Sequence, residues 1–270
     1  MFTLLRYGPT MRASVHPVPF TATDPAALEC FDTNGWVIVR CLSDRSIAQL
    51  RRWVDELAAW PDGVNVLHYR ELTDGGPRLC RTENFVPFHD GLRGMLTEGP
   101  MLHIATALIG EQAVLYKEKV NYKLAGGAGY SPHQDAPAYP FVERHVSCMI
   151  AVDDADIHNG CLAVASGLHH EVLPLDDVGC IRRDVADSLP WMSVPLRAGD
   201  MLWFHSRTPH RSGPNHSRDD RRAIYPTYNA LSEGDLRAAY YDEKLARMAA
   251  ARVGDHVQVS LIGDFQGRPV

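Results

Sequence analysis

The sequence predicts a mainly β protein of the antiparallel sandwich or jelly-roll class, with helices packed on its flanks. Three observations predict it. From residue 113 the hydrophobic period switches from helical to strand-like and stays so to residue 230. Within that span, six or seven short strand candidates are separated by Gly, Pro, Asn and Asp turns, with no helical pattern between them. Helical periodicity is confined to stretches before residue 110 and after residue 231. A chain of 270 residues with 45% hydrophobic content can bury a large core. No internal repeat, low-complexity tract or linker divides it, so one domain over residues 1–270 is expected.

In order, residues 25–31 predict a short helix closed by Asn34-Gly35, and Trp36–Arg40 a strand. Ser43 or Asp44 caps an amphipathic helix whose Ile47, Leu50, Val54 and Leu57 recur on one face, ending at Trp60-Pro61. Strands are expected at 64–69 and 79–86, flanking the turn Asp74-Gly75-Gly76-Pro77. Residues 91–109 predict one or two helices, the second carrying Met101, Leu102, Ile104, Ala105 and Leu108. Ala113–Lys123 alternates: Val114, Tyr116, Glu118, Val120 and Tyr122 on one face, Leu115, Lys117, Lys119, Asn121 and Lys123 on the other. Further strands are expected at 146–152, 161–165, 171–175, 191–196, Asp200–His205 and Arg221–Ala230. A closing helix over 232–252 buries Tyr241, Leu245 and Met248.

Composition narrows the function classes. A net charge of −6 and the absence of any Lys/Arg run argue against a nucleic-acid partner. The first six residues hold too short an apolar run for a secretory signal, and no segment approaches a membrane span. Met11 is an alternative start, because residues 1–10 show no periodic pattern. Six scattered cysteines without a C-x-x-C pair read as buried thiols of a reducing cytoplasm. The expectation is a soluble cytoplasmic protein acting on a small molecule, with its oligomeric state undetermined.

His133-Gln134-Asp135 follows the glycine-rich run 126–129. A histidine and a carboxylate two residues apart on a strand project to the same face. One distant histidine would complete a 2-His-1-carboxylate face with open positions, the arrangement of non-haem Fe(II) oxygenases. With 13 histidines, about one His-x-Asp arises by chance, so the pair alone is a weak signal beside an ordinary polar loop. His205 and His210 both offer the third ligand, His205 within a strand and His210 in the loop after it. His169-His170-Glu171 is a competing His-x-carboxylate pair. Arg221 or Arg222 begins a late strand, where a buried guanidinium needs an anion and suits a carboxylate bidentately.

Taken together, His133-x-Asp135, the segment Asp153 to Gly160, Ser166-Gly167-x-His169, and Gly199-Asp200 with His210-x-Ser212-Gly213-Pro214-Asn215 and Arg221 resemble the phytanoyl-CoA dioxygenase family. The resemblance covers residues 30–230. It implies a double-stranded β-helix (cupin-like) core and an Fe(II)- and 2-oxoglutarate-dependent dioxygenase consuming O2. It implies His133, Asp135 and His210 as iron ligands, and Arg221 with Ser212 as partners of 2-oxoglutarate. Arg222 is the rival of Arg221, because a one-residue shift flips the side chain across the sheet. The retained carboxylate Asp135 implies hydroxylation, since halogenating relatives carry a small residue there. Zinc hydrolysis on the same triad and a non-catalytic jelly-roll binding module are the alternatives.

For the substrate, two lysines on an inward face would make an anion-seeking pocket. The resemblance makes Asn121 and Lys117 candidates for the cosubstrate and Lys119 for the substrate. Arg81, Glu83 and Gln134 are further substrate candidates, with Arg78 and Asn84 on the same polar wall. Such a pocket suits a small anion or zwitterion, with Glu83 or a neighbour of Asp135 facing an amine. The run 116–123, the glycine-rich turn and the stretch from His133 to Tyr139 resemble the 2-aminoethylphosphonate dioxygenases within the family.

Overall fold

The computed structural model describes residues 19–21, 24–63, 66–139, 141–250 and 268–269. The chain opens with α1 (Pro25–Asn34), β1 (Trp36–Arg40), α2 (Asp44–Ala59), β2 (Leu67–Thr73), β3 (Gly76–Glu83), α3 (Asp90–Thr97) and α4 (Gly99–Ile109). It continues through β4 (Ala113–Lys123), β5 (Tyr130–His133), β6 (His145–Ala151), β7 (Leu162–Val164), α5 (Arg183–Ala186), β8 (Met192–Val194) and β9 (Asp200–His205). It closes with β10 (His210–Ser212), β11 (Arg221–Ala230), α6 (Arg237–Ala250) and β12 (Arg268–Pro269).

The strands form two antiparallel sheets of a double-stranded β-helix. The larger runs β1-β9-β6-β11-β4-β3-β2-β12 and the smaller β5-β10-β7-β8. Side-chain alternation then divides the interior in two. In β6, Val146, Cys148 and Ile150 join the cluster built with α1 to α4, whereas Met149 and Ala151 face the small sheet beside Leu162, Val164 and Val194. Both faces of this strand are buried, which is why it reads as a continuous apolar run. Of the two caps expected for α2, Ser43 is the one that forms, accepting from the backbone amide of Ser46, and Asp24 caps α1 by accepting from that of Ala26. The stripe Leu50, Val54 and Leu57 of α2 is fully buried.

Several expectations change. Segment 171–175 is not a strand; its backbone is held by the side chain of Gln134, at the carbonyl of Glu171 and the amide of Leu173. A one-turn helix, α5, interrupts the strand-rich region. The hairpin turn is Asp74-Gly75, with Gly76 already paired in β3, and Val86 opens a 3-10 turn instead of extending that strand. In β4 a bulge at Tyr116 breaks the alternation, because Lys117 pairs with Thr227 but Leu115 with Tyr228. Leu115 therefore packs with Val120 and Tyr122 against the helices, while Tyr116 joins Tyr139 and Val142. The closing helix starts later than expected, at Arg237 after a 3-10 turn, with Tyr241 buried and Leu245 packed beside it. Val64, residues 251–252, Met11 and the side chain of Met248 lie outside the described residues.

A polar network seats α6. Glu118 is fully buried and accepts from Arg237 at 2.5 and 3.0 Å and from the amide of Val86 at 2.9 Å. The Tyr241 hydroxyl donates to the Glu118 carbonyl at 2.8 Å. Burial raises the Glu118 pKa, and the Arg237 guanidinium works against that rise. Stripping one partner from such a pair leaves an uncompensated buried charge, so Arg237→Met should destabilise the fold by about 3–5 kcal/mol. Urea denaturation checks this, with Arg237→Met/Glu118→Gln expected to lose less than the sum of the single variants.

Candidate active site

The centre is built by strand register. His133, the last residue of β5, is the direct partner of His210, the first of β10, and their ring centroids lie 4.2 Å apart. His210 is thus in a strand, not in a loop. Asp135 is reached differently from the strand geometry predicted. β5 ends at His133, and Asp135 adopts helical dihedrals (φ −71°, ψ −32°) at the start of the 3-10 turn Ala136–Ala138. Ligand atoms of His133, Asp135 and His210 all lie within 4.8 Å of one another, the one such group among the described residues.

Hydrogen bonds orient each of the three. The Nδ1 of His133 donates to the Ser131 carbonyl at 2.7 Å, and that of His210 to the Thr208 carbonyl at 2.9 Å. A carbonyl only accepts, so Nδ1 carries the proton and Nε2 presents its lone pair. The Oδ2 of Asp135 accepts from the Ser147 hydroxyl at 2.7 Å, and its Oδ1 lies 3.9 Å from His210 Nε2. Burial, then the proximity of His210, pulls the His133 pKa down to about 3. For Asp135, burial opposes ionisation, but His210, His133 and the ammoniums of Lys117 and Lys119 outweigh it and hold the carboxylate below its ordinary range. Two neutral imidazole nitrogens and one carboxylate oxygen form a donor set that fits a divalent metal with positions left open.

Around the triad, a cavity is walled by Lys117, Lys119, Asn121, Ser147, Phe204, Tyr225 and Thr227 of the large sheet, by Tyr130 and Leu162 of the small one, and by Tyr139 after the 3-10 turn. Among the described residues Lys119 makes no hydrogen bond or ion pair; its ammonium lies 5.3 Å from the Tyr225 ring centroid. Burial, with Lys117 and Arg81 nearby, depresses its pKa well below the ordinary value. Lys117 donates to the Tyr139 hydroxyl, and burial lowers its pKa to about 8. The Oδ1 of Asn121 accepts from Arg81 Nε at 3.1 Å. A guanidinium only donates, so the Asn121 amide group is free to turn its N–H bonds toward the cavity.

At the other end, Arg221 is buried at the start of β11, opposite Lys123. Arg222 points away, pairing with Asp153 and Asp55. Arg221 therefore meets the interior and Arg222 the surface, as a one-residue step along a strand requires. The Nη2 of Arg221 donates to the Gly160 carbonyl at 3.3 Å, while its Nε is buried without a partner. Ser212 accepts from Lys123 Nζ at 2.9 Å. Lys117 stands six residues from Lys123 on β4, about 20 Å along the strand, which separates it from the Arg221 end.

Five expected contacts fall elsewhere. Gln134 is fully buried but turned out of the cavity, its amide nitrogen donating to the carbonyls of Glu171 and Arg207 and its oxygen accepting from Leu173. Arg81 and Glu83 sit behind Asn121 rather than on the wall. Glu83 pairs with Lys244 and Arg81, which pull its carboxyl down to about 2 against the effect of burial, so it offers no free oxygen to an amine. Arg78 pairs with Asp220 at the surface and Asn84 with Arg237. The rival pair also fails to assemble, with His169 buried and Glu171 exposed. Tyr139, Ser147 and Lys123 were missed as site candidates. Lys123 alone carried a signal, sharing the alternating face of Lys117, Lys119 and Asn121.

A double-stranded β-helix with two histidines and a carboxylate at its open end defines the Fe(II)- and 2-oxoglutarate-dependent dioxygenases, which also consume O2. The family model "Phytanoyl-CoA dioxygenase (PhyH)" matches residues 31–223, and the chain belongs to that family. It is 46% identical over 254 residues to methylphosphonate hydroxylase of Gimesia maris, covering 92% of this chain and 97% of that one. It is 38% identical to a 2-aminoethylphosphonate dioxygenase from an uncultured bacterium, covering 78% and 83%. The fold also matches a crystal structure of EctD from S. alaskensis with 2-oxoglutarate and 5-hydroxyectoine, with a TM-score of 0.69, 18% identity and coverage of 84% and 83%. The protein is thus an Fe(II)/2-oxoglutarate-dependent dioxygenase acting on a small molecule. Among the described residues no helix is long and apolar enough to cross a membrane.

Buried neutral histidines make the metal-free fold acid-sensitive. Burial lowers His145 and His205 to about 4 and His133 to about 3, against about 6.5 in an unfolded chain. Between these values the unfolded chain binds more protons, so stability is lost as pH falls through that window. Asp135 and Glu83, with depressed values, add to the loss only below the ordinary carboxylate range. The melting temperature of metal-free protein should therefore fall steadily between pH 6.5 and 4, and His205→Gln should flatten part of that slope. A flat profile over this window would contradict the buried-neutral assignment.

Proposed function

We propose that the chain hydroxylates a C–H bond of a small phosphonate. In this reading His133, Asp135 and His210 hold Fe(II). Arg221 and Ser212 receive the far carboxylate of 2-oxoglutarate, and Asn121 lies beside the cosubstrate. Lys119 and Lys117 grip the oxyanion of the substrate. The carrying observation is that the polar groups facing the cavity beside the triad are donors. Lys119 has no hydrogen-bond or ion-pair partner among the described residues, Lys117 donates to the Tyr139 hydroxyl, and Asn121 has its oxygen turned to Arg81. A wall of donors suits a ligand that only accepts, which a phosphonate dianion is. The names of the two bacterial relatives support the same class.

When bound, the metal and cosubstrate supply oxidation: 2-oxoglutarate, O2 and the C–H substrate become succinate, CO2 and the alcohol. The chain's own residues position the parts. Ser147 occupies one oxygen of Asp135 and leaves the other for the metal. The lysines would tether the phosphonate so that its neighbouring carbon lies beside the triad, converting encounter into an oriented complex. Burial of the lysines strengthens that tether, because an unpaired buried ammonium gains most from an anion. No disulfide forms among the described cysteines, which supports a reducing cytoplasm as the place of action, with the described span working as one catalytic domain.

The test is succinate formation by Fe(II)-reconstituted protein with methylphosphonate, 2-aminoethylphosphonate, amino acids, betaines and acyl-CoA esters. Phosphonates should be turned over, and Lys119→Met should raise their KM about 10- to 100-fold, the size of a lost charged contact. Turnover confined to acyl-CoA esters or neutral substrates would sink the proposal.

A further inference from the structure

We propose that Gln134, which stands between two of the three ligand side chains, is a positioning residue for the third: its side chain fixes the turn that aims His210. This rests on the reading that His133, Asp135 and His210 hold the metal. Gln134 is fully buried, and its amide ties together three segments of the chain. Its Nε2 donates to the carbonyls of Arg207 and Glu171, and its Oε1 accepts from the Leu173 amide at 2.8 Å. A carbonyl only accepts and a backbone amide only donates. This set of partners therefore suits a primary amide, and neither a carboxylate nor an ammonium can satisfy it.

The contact with Arg207 is the one that reaches the metal position. Residues 206–209 join β9 to β10, and each of their four carbonyls is engaged. Ser206 accepts from the Ala136 amide at 2.9 Å, Arg207 from Gln134, Thr208 from His210 Nδ1 at 2.9 Å, and Pro209 from the Ala165 amide at 3.0 Å. The segment that supplies His133 and Asp135 thus grips two successive carbonyls of this turn, and the next carbonyl sets the tautomer and ring plane of His210. The peptide between Arg207 and Thr208 has two anchors. Gln134 holds its oxygen, and its N–H donates to the His205 carbonyl at 2.8 Å. Loss of the Gln134 amide releases one of them directly beside the Thr208 carbonyl. Groups that orient a ligand from outside the ligand set typically change metal affinity by about 10- to 100-fold.

Co(II) titrated into metal-free protein under argon tests this, because its ligand-field absorption reports the ligand geometry without any turnover. Gln134→Met, similar in length and without the amide, should weaken Co(II) by about 10- to 100-fold and shift the absorption bands. Gln134→Glu, the same shape without its donors, should do likewise. Leu173→Pro deletes only the loop's amide donor, and it should leave both affinity and bands as in wild type. If Gln134→Met and Gln134→Glu fail to fold, Gln134→Asn keeps the amide one methylene short, and a smaller weakening with a band shift in the same direction is expected. Folded Gln134 variants with unchanged bands and affinity, even at a lower melting temperature, overturn the proposal and leave Gln134 a loop brace. A Leu173→Pro variant that reproduces the metal defect assigns the effect to the loop and overturns it too. Failure of the wild type to bind Co(II), or undiminished binding by His210→Ala, overturns the underlying reading of the ligand set instead.

Discussion

Residues of β11 pair antiparallel with β4 from Arg221 opposite Lys123 to Ala230 opposite Ala113, and this ladder decides what the interior of the β-helix contains. Because side chains alternate, the register sends Lys117, Lys119, Asn121 and Lys123 of one strand and Arg221, Tyr225 and Thr227 of the other to the same side. The opposite side takes Val120, Tyr122 and Ile224 into the helix-facing core. A slip of one residue would exchange apolar and cationic faces wholesale. The bulge at Tyr116 ends the cationic face at Lys117 and returns the strand to purely apolar packing through Leu115.

A row of buried cations is costly, and the molecule offsets most of it locally. Arg81 has Glu83, Lys244 has the same carboxylate, and Arg237 has Glu118. Lys117 has the Tyr139 hydroxyl and the nearby negative charge of Glu83 and Asp135. The pairs sit behind the cavity wall, where no ligand reaches. The cations without a carboxylate partner among the described residues, Lys119 in the cavity and the Lys123–Arg221 couple at its end, sit on the inner face at separate points along β4 and β11. Paired charges thus build the frame behind the cavity, and the cations without a carboxylate partner among the described residues stand at two separate points along β4.

The triad depends on a different device. His133 and His210 are brought together by pairing β5 with β10, and their tautomers are set by the carbonyls of Ser131 and Thr208, each two residues earlier in its own chain segment. Asp135 comes from a turn and is fixed by Ser147 of the large sheet. The two sheets therefore meet at the metal position, one supplying imidazoles and the other steadying the carboxylate. His205, in the same candidate segment as His210, faces His169 instead, with ring centroids 5.4 Å apart.

The sequence by itself determined the β-helix class and the register-independent periods, and its family resemblance pointed to the three side chains that converge, His133, Asp135 and His210. Apolar alternation is a local property of each strand, and the ordered motif from His133 to Arg221 survives in one dimension. It did not determine which neighbours a polar residue meets. Gln134 read as a pocket residue because it lies between two of them, yet it holds a loop 37 to 39 residues downstream. Glu83 read as free because Lys244, which neutralises it, lies 161 residues away on a helix whose buried stripe was expected to be apolar. The choice between Arg221 and Arg222 needed the partners of Arg222, Asp153 and Asp55, which only the folded chain brings to it. Local propensity is written along the chain, whereas charge pairing is a property of distances between segments, and those exist only once the sheets have closed.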